Sequence, residues 1–438
     1  MQRAGSLLRY TLWGLVAVVC GLLVGELGIA MRDRWAIPTG LVVLRRYGAT
    51  DTTISLLMSA LPAVISVFVV PRIGYYSDHF RSRWGRRRPF LLATGLLGAL
   101  AMVCVAFAPA FAHLTHAVLG SWSPGLPVLG IAYFCLFWTA FDCAAITTTA
   151  LYSGLVNDVI PRGFVGRFYA VFRIVGLGVA IGFNTSVFAL TDAYLFEILL
   201  AIALVFGAAI PLMCVLTREQ PLPEAPSPKP NASWPRLEGS YLWKCAMFMF
   251  AGVTFGPFNT FSQSYAQSLG ISLADLGSMT ASAYAVSIAT AFGVGWLVDR
   301  FGAMRVSGTL MAAYFAIAVC GYLLVHDAAS FRGFYLAHVL MSGAYFTAAS
   351  SMPIELFASR DFVRFNSSKD IMVAFAVILV STVQGPMLDF TGHNYALTIA
   401  SAALFSLLCL GCMAQLTLNF SSTSLSNLKT ASPELPHG

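Results

Sequence analysis

The 438-residue chain is short of charge: Asp, Glu, Lys and Arg together supply 10% of it, where a soluble domain carries about a quarter. So few charged groups exclude an ordinary soluble globular protein. Catalytic groupings are missing as well. No nucleophile–base set, metal-ligand cluster or phosphate-binding loop stands out, and His113 and His116 of "HLTH" form an isolated pair. The chain is therefore not expected to be an enzyme, nor to need a metal or an organic cofactor. Cysteine is odd in number, at nine, and nearly all of it falls inside apolar stretches. Cys409 and Cys412 make a CxxC within one such stretch, which reads as buried thiols rather than a redox or metal pair.

What fills the chain is hydrophobic residue, 58% of it. The apolar runs are continuous rather than alternating, so they predict helices and not the strands of a barrel. A helix needs about 20 apolar residues to cross roughly 30 Å of hydrocarbon. Runs of that size fall at 11–31, 52–72, 89–109, 127–156, 167–190, 193–216, 242–268, 276–298, 305–325, 331–357, 370–390 and 394–418. Of the 26 basic residues, 20 fall in segments on the side of the N-terminus. Five (Arg32, Arg34, Arg45, Arg46 and Arg332) fall on the other side, and Arg173 is left inside a span. That bias places both termini in the cytoplasm, and the chain in the plasma or inner membrane of the cell. The net charge of +7 follows from this topology and an anionic inner leaflet. No nucleic-acid partner is expected, because the one basic loop is short and has spans on both sides. The first span is too long for a signal-peptide core and lacks a small-x-small cleavage site, so it reads as a retained helix.

Residues 217–241, "TREQPLPEAPSPKPNASWPRLEGSY", are Pro-rich and polar without periodicity. They read as a cytoplasmic linker between an N-terminal six-helix bundle, 1–216, and a C-terminal one, 242–418. A disordered cytoplasmic tail is predicted at 419–438. The sequon at Asn231 lies on the cytoplasmic side and is not expected to carry a glycan.

The two halves share a loop. After the eighth span comes "GWLVDRFGAMR", with Gly295, Asp299, Arg300, Gly302 and Arg305. After the second comes "GYYSDHFRSRWGRRRPF", with Gly74, Asp78, Gly85, Arg86, Arg87 and Arg88. The Gly-to-Asp step is four in both, while the Asp-to-Gly step is three in one and seven in the other, a difference of about one helical turn. A looser echo follows spans four and ten, "RGFVGRF" at 162–168 and "RDFVRF" at 360–365. Matching loops after matching helices indicate a duplicated six-helix unit, giving an all-α polytopic membrane protein of two pseudo-symmetric bundles. The arginine run alone reads as a topology signal. The repeated Gly/Asp/Gly/Arg pattern suits gating loops, in which glycine permits close helix approach and aspartate faces a helix N-terminus.

"GWLVDRFGAMR" resembles the signature loop of the major facilitator superfamily. "GYYSDHFRSRWGRRRPF" is similar to its variant in proton-linked sucrose symporters and in the broader glycoside–pentoside–hexuronide:cation symporters. The resemblance implies the twelve-helix fold, and a cavity lined by helices one, four, seven and ten. In Asp142, within "FWTAFDCAAITTTALYSGLVND", it implies the proton-binding carboxylate. An arginine usual eleven residues later is replaced here by Ser153.

A charge in mid-span costs at least about 2.5–3.5 kcal/mol, so it faces a cavity or a partner. Asp142 lies about 21 Å above the inner end of span four, with a second acid, Asp158, sixteen residues on. Arg173 lies about 9 Å into span five. It reads either as a side chain reaching back to the cytoplasmic surface, or as a replacement counter-charge for Asp142 or a donor to substrate. Glu26 is about 22 Å from the inner end of span one. It is either a second proton-coupling acid or an interfacial one beside Arg32 and Arg34. His338 is the approximate counterpart of Asp142 across the repeat, and reads as a substrate group or as a hydrogen-bonded structural histidine.

Span seven, "FGPFNTFSQSYAQSLG", carries Asn259, Gln263 and Gln267 every four residues, on one helix face. Phe255 precedes them, and Pro257 can loosen the helix. Amides match vicinal hydroxyls and an aromatic face packs on sugar C–H groups, although amides also bond helices together. Asn184 and Gln384 are weaker substrate candidates. The expectation is a monomeric secondary transporter. It takes a sucrose- or maltose-like sugar together with a proton, with sodium as the alternative ion. Other readings are an exporter or antiporter of another solute, or a non-transporting membrane sensor.

Overall fold

The computed structural model describes residues 12–80, 82–159, 165–217, 239–356 and 362–430. Most of the predicted linker, the end of the tail, and Arg162 and Arg360 of the looser echo lie outside the described residues. Ten α-helices occupy the first half: α1 (Leu12–Met31), α2 (Ile37–Arg46), α3 (Asp51–Ser55), α4 (Leu61–Phe68), α5 (Val70–His79), α6 (Arg88–Ala106), α7 (Ala108–Leu119), α8 (Leu126–Val159), α9 (Val165–Ser186) and α10 (Leu195–Leu216). The second half holds α11 (Gly239–Thr254), α12 (Gly256–Ser268), α13 (Leu273–Phe301), α14 (Ala303–Leu324), α15 (Ala328–Ala349), α16 (Met352–Leu356), α17 (Phe362–Phe390) and α18 (Ala396–Thr430). There is no strand among the described residues.

Eight helical segments among the described residues are long and apolar enough to cross a membrane. The other four predicted spans are also helical, on α1, α9, α11 with α12, and α15. Breaks in these helices follow proline. A π turn at Arg32–Ala36 joins α1 to α2 just before Pro38, and another at Leu56–Ala60 leads into α4 just before Pro62. Proline has no N–H for the carbonyl four residues back, and a wider turn accommodates the loss. The break between α11 and α12 falls at Phe255, two residues before Pro257.

Contacts gather the described residues into two compact units. One is drawn from Met1–Lys229, Ser262–Ile288 and Ser381–Asn394, the other from Pro230–Phe261, Ala289–Val380 and Tyr395–Gly438. In the first, α6 packs on α8 and α10, and α1 packs on α9 and α10. Small residues set the α1–α10 spacing: a Cβ on Gly25 would strike Met213, and one on Gly28 would press on Ala209. In the second unit α11 and α14 pack on α18, and α14 on α15.

The paired loops use glycine for its backbone freedom at one position each. Gly85 has φ +98° and Gly302 φ +87°. Gly302, with ψ 148°, lies in a region essentially closed to other residues and starts α14. Gly302→Ala is expected to lower stability by about 1–3 kcal/mol, read as a drop in the thermal unfolding midpoint of detergent-solubilised protein. An unchanged midpoint would contradict this account of the loop.

Candidate functional site

α8 carries an aromatic wall, Phe134, Trp138 and Phe141, all fully buried, and Asp142 follows directly at 1% exposure. Its cation is Arg32, set on the π turn that ends α1. Arg32 Nε and Nη2 both donate to Asp142 Oδ1, at 3.0 and 2.9 Å, while Nη1 donates to Asp33 at 2.7 Å. The π turn shifts the register of the side chains behind it, and so turns a residue beyond the apolar run of α1 toward α8. Arg32 therefore occupies the place expected for Arg173 as the counter-charge of Asp142. Ser153, where the resemblance has an arginine, donates to the Thr149 carbonyl of its own helix at 3.0 Å. Arg173 is half-buried on α9, within electrostatic reach of Arg34.

Glu26 lies on α1 and is 5% exposed. Its Oε2 has no hydrogen-bond partner among the described residues. Its Oε1 faces Gly176 on α9, where a Cβ would lie 3.0 Å away. The rest of the π turn is pinned nearby. Arg34 donates to the Tyr284 hydroxyl at 3.3 Å and lies over that ring, 5.3 Å from its centre. Trp35 donates to the Val179 carbonyl at 3.4 Å and packs on Phe183.

The substrate candidates fall in both units: Phe255, Asn259 and His338 in the second, Asn184, Gln263, Gln267 and Gln384 in the first. His338 is fully buried. Its Nε2–H donates to Asn259 Oδ1 at 2.9 Å, so Nδ1 accepts from the Tyr314 hydroxyl at 2.8 Å. With both nitrogens engaged, it bridges Tyr314 and Asn259, the arrangement of a hydrogen-bonded structural histidine. Phe255 is 1% exposed among Tyr314, His338, Tyr345 and Phe346, so it is core rather than a stacking platform. On α12, Asn259 and Gln267 are exposed and Gln263 is buried. Asn184 gives its amide to the Ala180 carbonyl of its own helix at 2.8 Å, while Gln384 is buried on α17.

At the first of the paired loops, Arg86 and Arg87 both donate to Asp158, at the end of α8, at 2.6 and 2.8 Å. Arg88 opens α6. The close approach expected at Gly74 and Gly295 is absent, since no described atom lies within 4 Å of a Cβ at either. It occurs instead at Gly154, whose missing side chain leaves room for the Arg87 guanidinium. Asp299 and Arg305 are exposed, and Arg300 lies over the Trp296 and Phe301 rings. The side chain of Asp78 lies outside those described. In the second half, Glu355 on α16 accepts the Met304 N–H at 3.2 Å, at the first turn of α14.

A cluster missed by sequence reading ties α3 to the end of α17. Asp389 Oδ1 accepts the Asp51 N–H at 2.8 Å, and Oδ2 accepts Thr52 N–H and Oγ1–H at 2.9 and 2.6 Å. Buried Asp51 pairs with Arg45, which also donates to Ser264, and accepts from His393 Nδ1 at 2.6 Å. Gly385 lets the helices meet: its Cβ would lie 2.6 Å from Thr52 Cα. Asp51, Asp389 and His393 offer metal-ligand atoms within 4.8 Å of one another. In this geometry the Arg45 cation holds Asp51, and the N-terminus of α3 holds Asp389.

The Major Facilitator Superfamily model matches residues 5–362. The chain belongs to the Major Facilitator Superfamily. It is an integral membrane protein with a transporter fold. Solved structures share that fold at low identity. A point mutant of the nucleoside transporter NupG superposes with TM-score 0.69 at 13% identity, over 91% of this chain and 99% of that one. A bacterial homologue of the human lysosomal transporter Spinster, inward-facing and unoccupied, gives 0.66 at 10%, over 94% and 97%. A bacterial homologue of the iron transporter ferroportin, inward-facing, gives 0.66 at 13%, over 93% and 99%.

Two expectations follow for this superfamily member. Breaking a buried ion pair costs about 3–5 kcal/mol, whereas replacing both partners by apolar groups is far milder. Arg32→Leu should therefore destabilise strongly, and Arg32→Leu with Asp142→Leu should recover much of the loss in a thermal-unfolding double-mutant cycle. Additive losses would mean that the pair is not coupled. At the α3–α17 cluster, Asp389→Asn removes charge from bonds worth about 1.5–3 kcal/mol. Amide exchange across 51–56 should quicken by about tenfold or more, and unchanged exchange there would rule out Asp389 as the cap of α3.

Proposed function

We propose that this protein is a proton-coupled importer of a neutral sugar or glycoside of the sucrose or maltose kind, working by alternating access. The observation that carries the reading is the Asp142–Arg32 pair, buried at a position where the bilayer makes isolated charge costly. A transporter can use such a pair to keep charge matched inside the slab, where a substrate hydroxyl can hydrogen-bond to either partner. The two gating loops, the resemblance of the first to those of proton-linked sugar symporters, and the exposed amides of α12 support the same reading. A non-transporting sensor is disfavoured, since it would have no use for Glu26 and Asp142 within spans. A nucleoside is the second substrate reading. Its ribose offers the same vicinal hydroxyls, and NupG, a nucleoside transporter, shares the fold. Sodium in place of the proton, and export in place of import, are decided by the same assay.

The test is sugar-induced alkalinisation in proteoliposomes, with a panel of mono- and disaccharides and nucleosides, under proton or sodium gradients. A disaccharide should carry protons inward. Asp142→Asn, which leaves Arg32 facing a neutral amide, should cut coupled uptake by about tenfold or more. A folded wild-type protein that moves protons with no sugar ends the sugar-symport reading, and a nucleoside response would replace it.

A further inference from the structure

We infer that the transported proton rides on Glu26, and that Asp142 with Arg32 forms a fixed charge pair beside it. This rests on the proton-coupled reading above and assigns the proton to one of two acids. Both are buried, yet their surroundings are opposite. Asp142 receives two guanidinium bonds from Arg32, at 3.0 and 2.9 Å, and has its charge matched where it sits. Glu26 has no such cation bonded to it, and its Oε2 is bonded to nothing among the described residues. A buried carboxylate without donors costs several kcal/mol in its charged form. Glu26 therefore suits this arrangement as the neutral acid, and its charged form needs water or a moving cation. A group whose two forms suit two arrangements is what a proton carrier requires.

The charged groups around Glu26 indicate what its proton controls. The fields that reach it come from Asp33 and Arg34 of the π turn, while α9 faces it with Gly176. From α10 come the apolar side chains of Met213, Ala209 and Ile210, against Gly25 and Gly28. Arg32 is bonded to Asp142 and Asp33. The cation whose field reaches Glu26 is Arg34, and Arg34 is held by the hydroxyl and ring of Tyr284 on α13. An ionised Glu26 competes with Tyr284 for Arg34, so one proton tightens or loosens the contact between the π turn and α13. Gly176 keeps the place open, because a methyl there would press on Glu26 Oε1.

The experiment uses the full-length protein in proteoliposomes with radiolabelled sucrose and maltose as probes. In Glu26→Gln, sugar counterflow should continue but lose its pH dependence, while alkalinisation and uphill accumulation disappear. In Asp142→Asn, counterflow itself should collapse, because Arg32 loses its partner. Accumulation with protons retained in Glu26→Gln, or counterflow without protons in Asp142→Asn, overturns the assignment. Should Glu26→Gln not fold, Gly176→Ala takes its place: it should shift the pH midpoint of counterflow, and an unmoved midpoint counts against Glu26. Failure of the wild type to move either sugar is a failure of the sugar reading instead. Glu26 is then judged by infrared pH titration of purified protein. Loss of a protonated-carboxyl band in Glu26→Gln, but not in Asp142→Asn, supports the assignment, and a band that survives Glu26→Gln ends it.

Discussion

A charge inside a hydrocarbon slab has to be matched within the protein, and here that requirement falls on Asp142. Water cannot solvate it behind Trp138 and Phe141, so its neighbour must supply a cation. The geometry of the first helix follows from this need. α1 runs out of apolar residues at Met31, but the chain stays helical through a π turn and α2, so that Arg32 is presented to α8 and Arg34 to Tyr284. The glycines of α1 serve the same end. They let the helix lie directly on α10, and the Tyr152 hydroxyl on α8 donates to the Leu22 carbonyl at 2.7 Å, which clamps α1 at the height where the pair forms.

The duplicated halves solve one problem with two chemistries. Each has a loop glycine at positive φ and an acid near the end of its fourth span: Asp158 at the end of α8 in one, Glu355 on α16, just after α15, in the other. In the first half the acid collects two arginines. In the second it accepts a backbone N–H at the N-terminus of α14, where the helix dipole supplies the positive end. The arginine-rich insertion of the first loop is thus part of a bonded network as well as a topology signal. The second loop leaves Arg300 lying over aromatic rings and Asp299 exposed.

The span pattern and the paired loops were legible in the sequence because both are one-dimensional signals: run length, charge bias and repeated spacing. Asp142 and Glu26 were legible because a lone acid in an apolar run is conspicuous. Arg32 was not, since hydropathy ends the span at the last apolar residue and cannot detect a π turn that carries the helix on. Nothing local links Asp51 to Asp389 and His393, which lie more than 300 residues away along the chain. Phe255, placed on the amide-bearing face of span seven, falls at the break between α11 and α12, and His338, placed by its spacing across the repeat, packs beside it; spacing along the chain cannot say which positions are core. Their aromatic neighbours come from α14 and α15, distant in sequence. Glu355 could have been found, because it follows His338 by seventeen residues much as Asp158 follows Asp142 by sixteen.

The two charge clusters of the first unit differ in the property that a carrier must control, how readily a contact opens. Asp142 and Arg32 are both shielded from solvent, so salt does not weaken their attraction and separating them leaves an unmatched charge. The cluster at α3 is built the other way. Asp51 is buried, but His393 is largely exposed and Arg45 partly so. Water and ions can compete there for His393 and Arg45 while Asp51 stays shielded, so screening weakens the exposed part of the cluster. Asp389 adds directional bonds to the first turn of α3, which fixes where the helices meet without making the meeting hard to undo. A screened contact opens at little cost, whereas an unscreened pair inside the slab stays closed unless both charges find new partners.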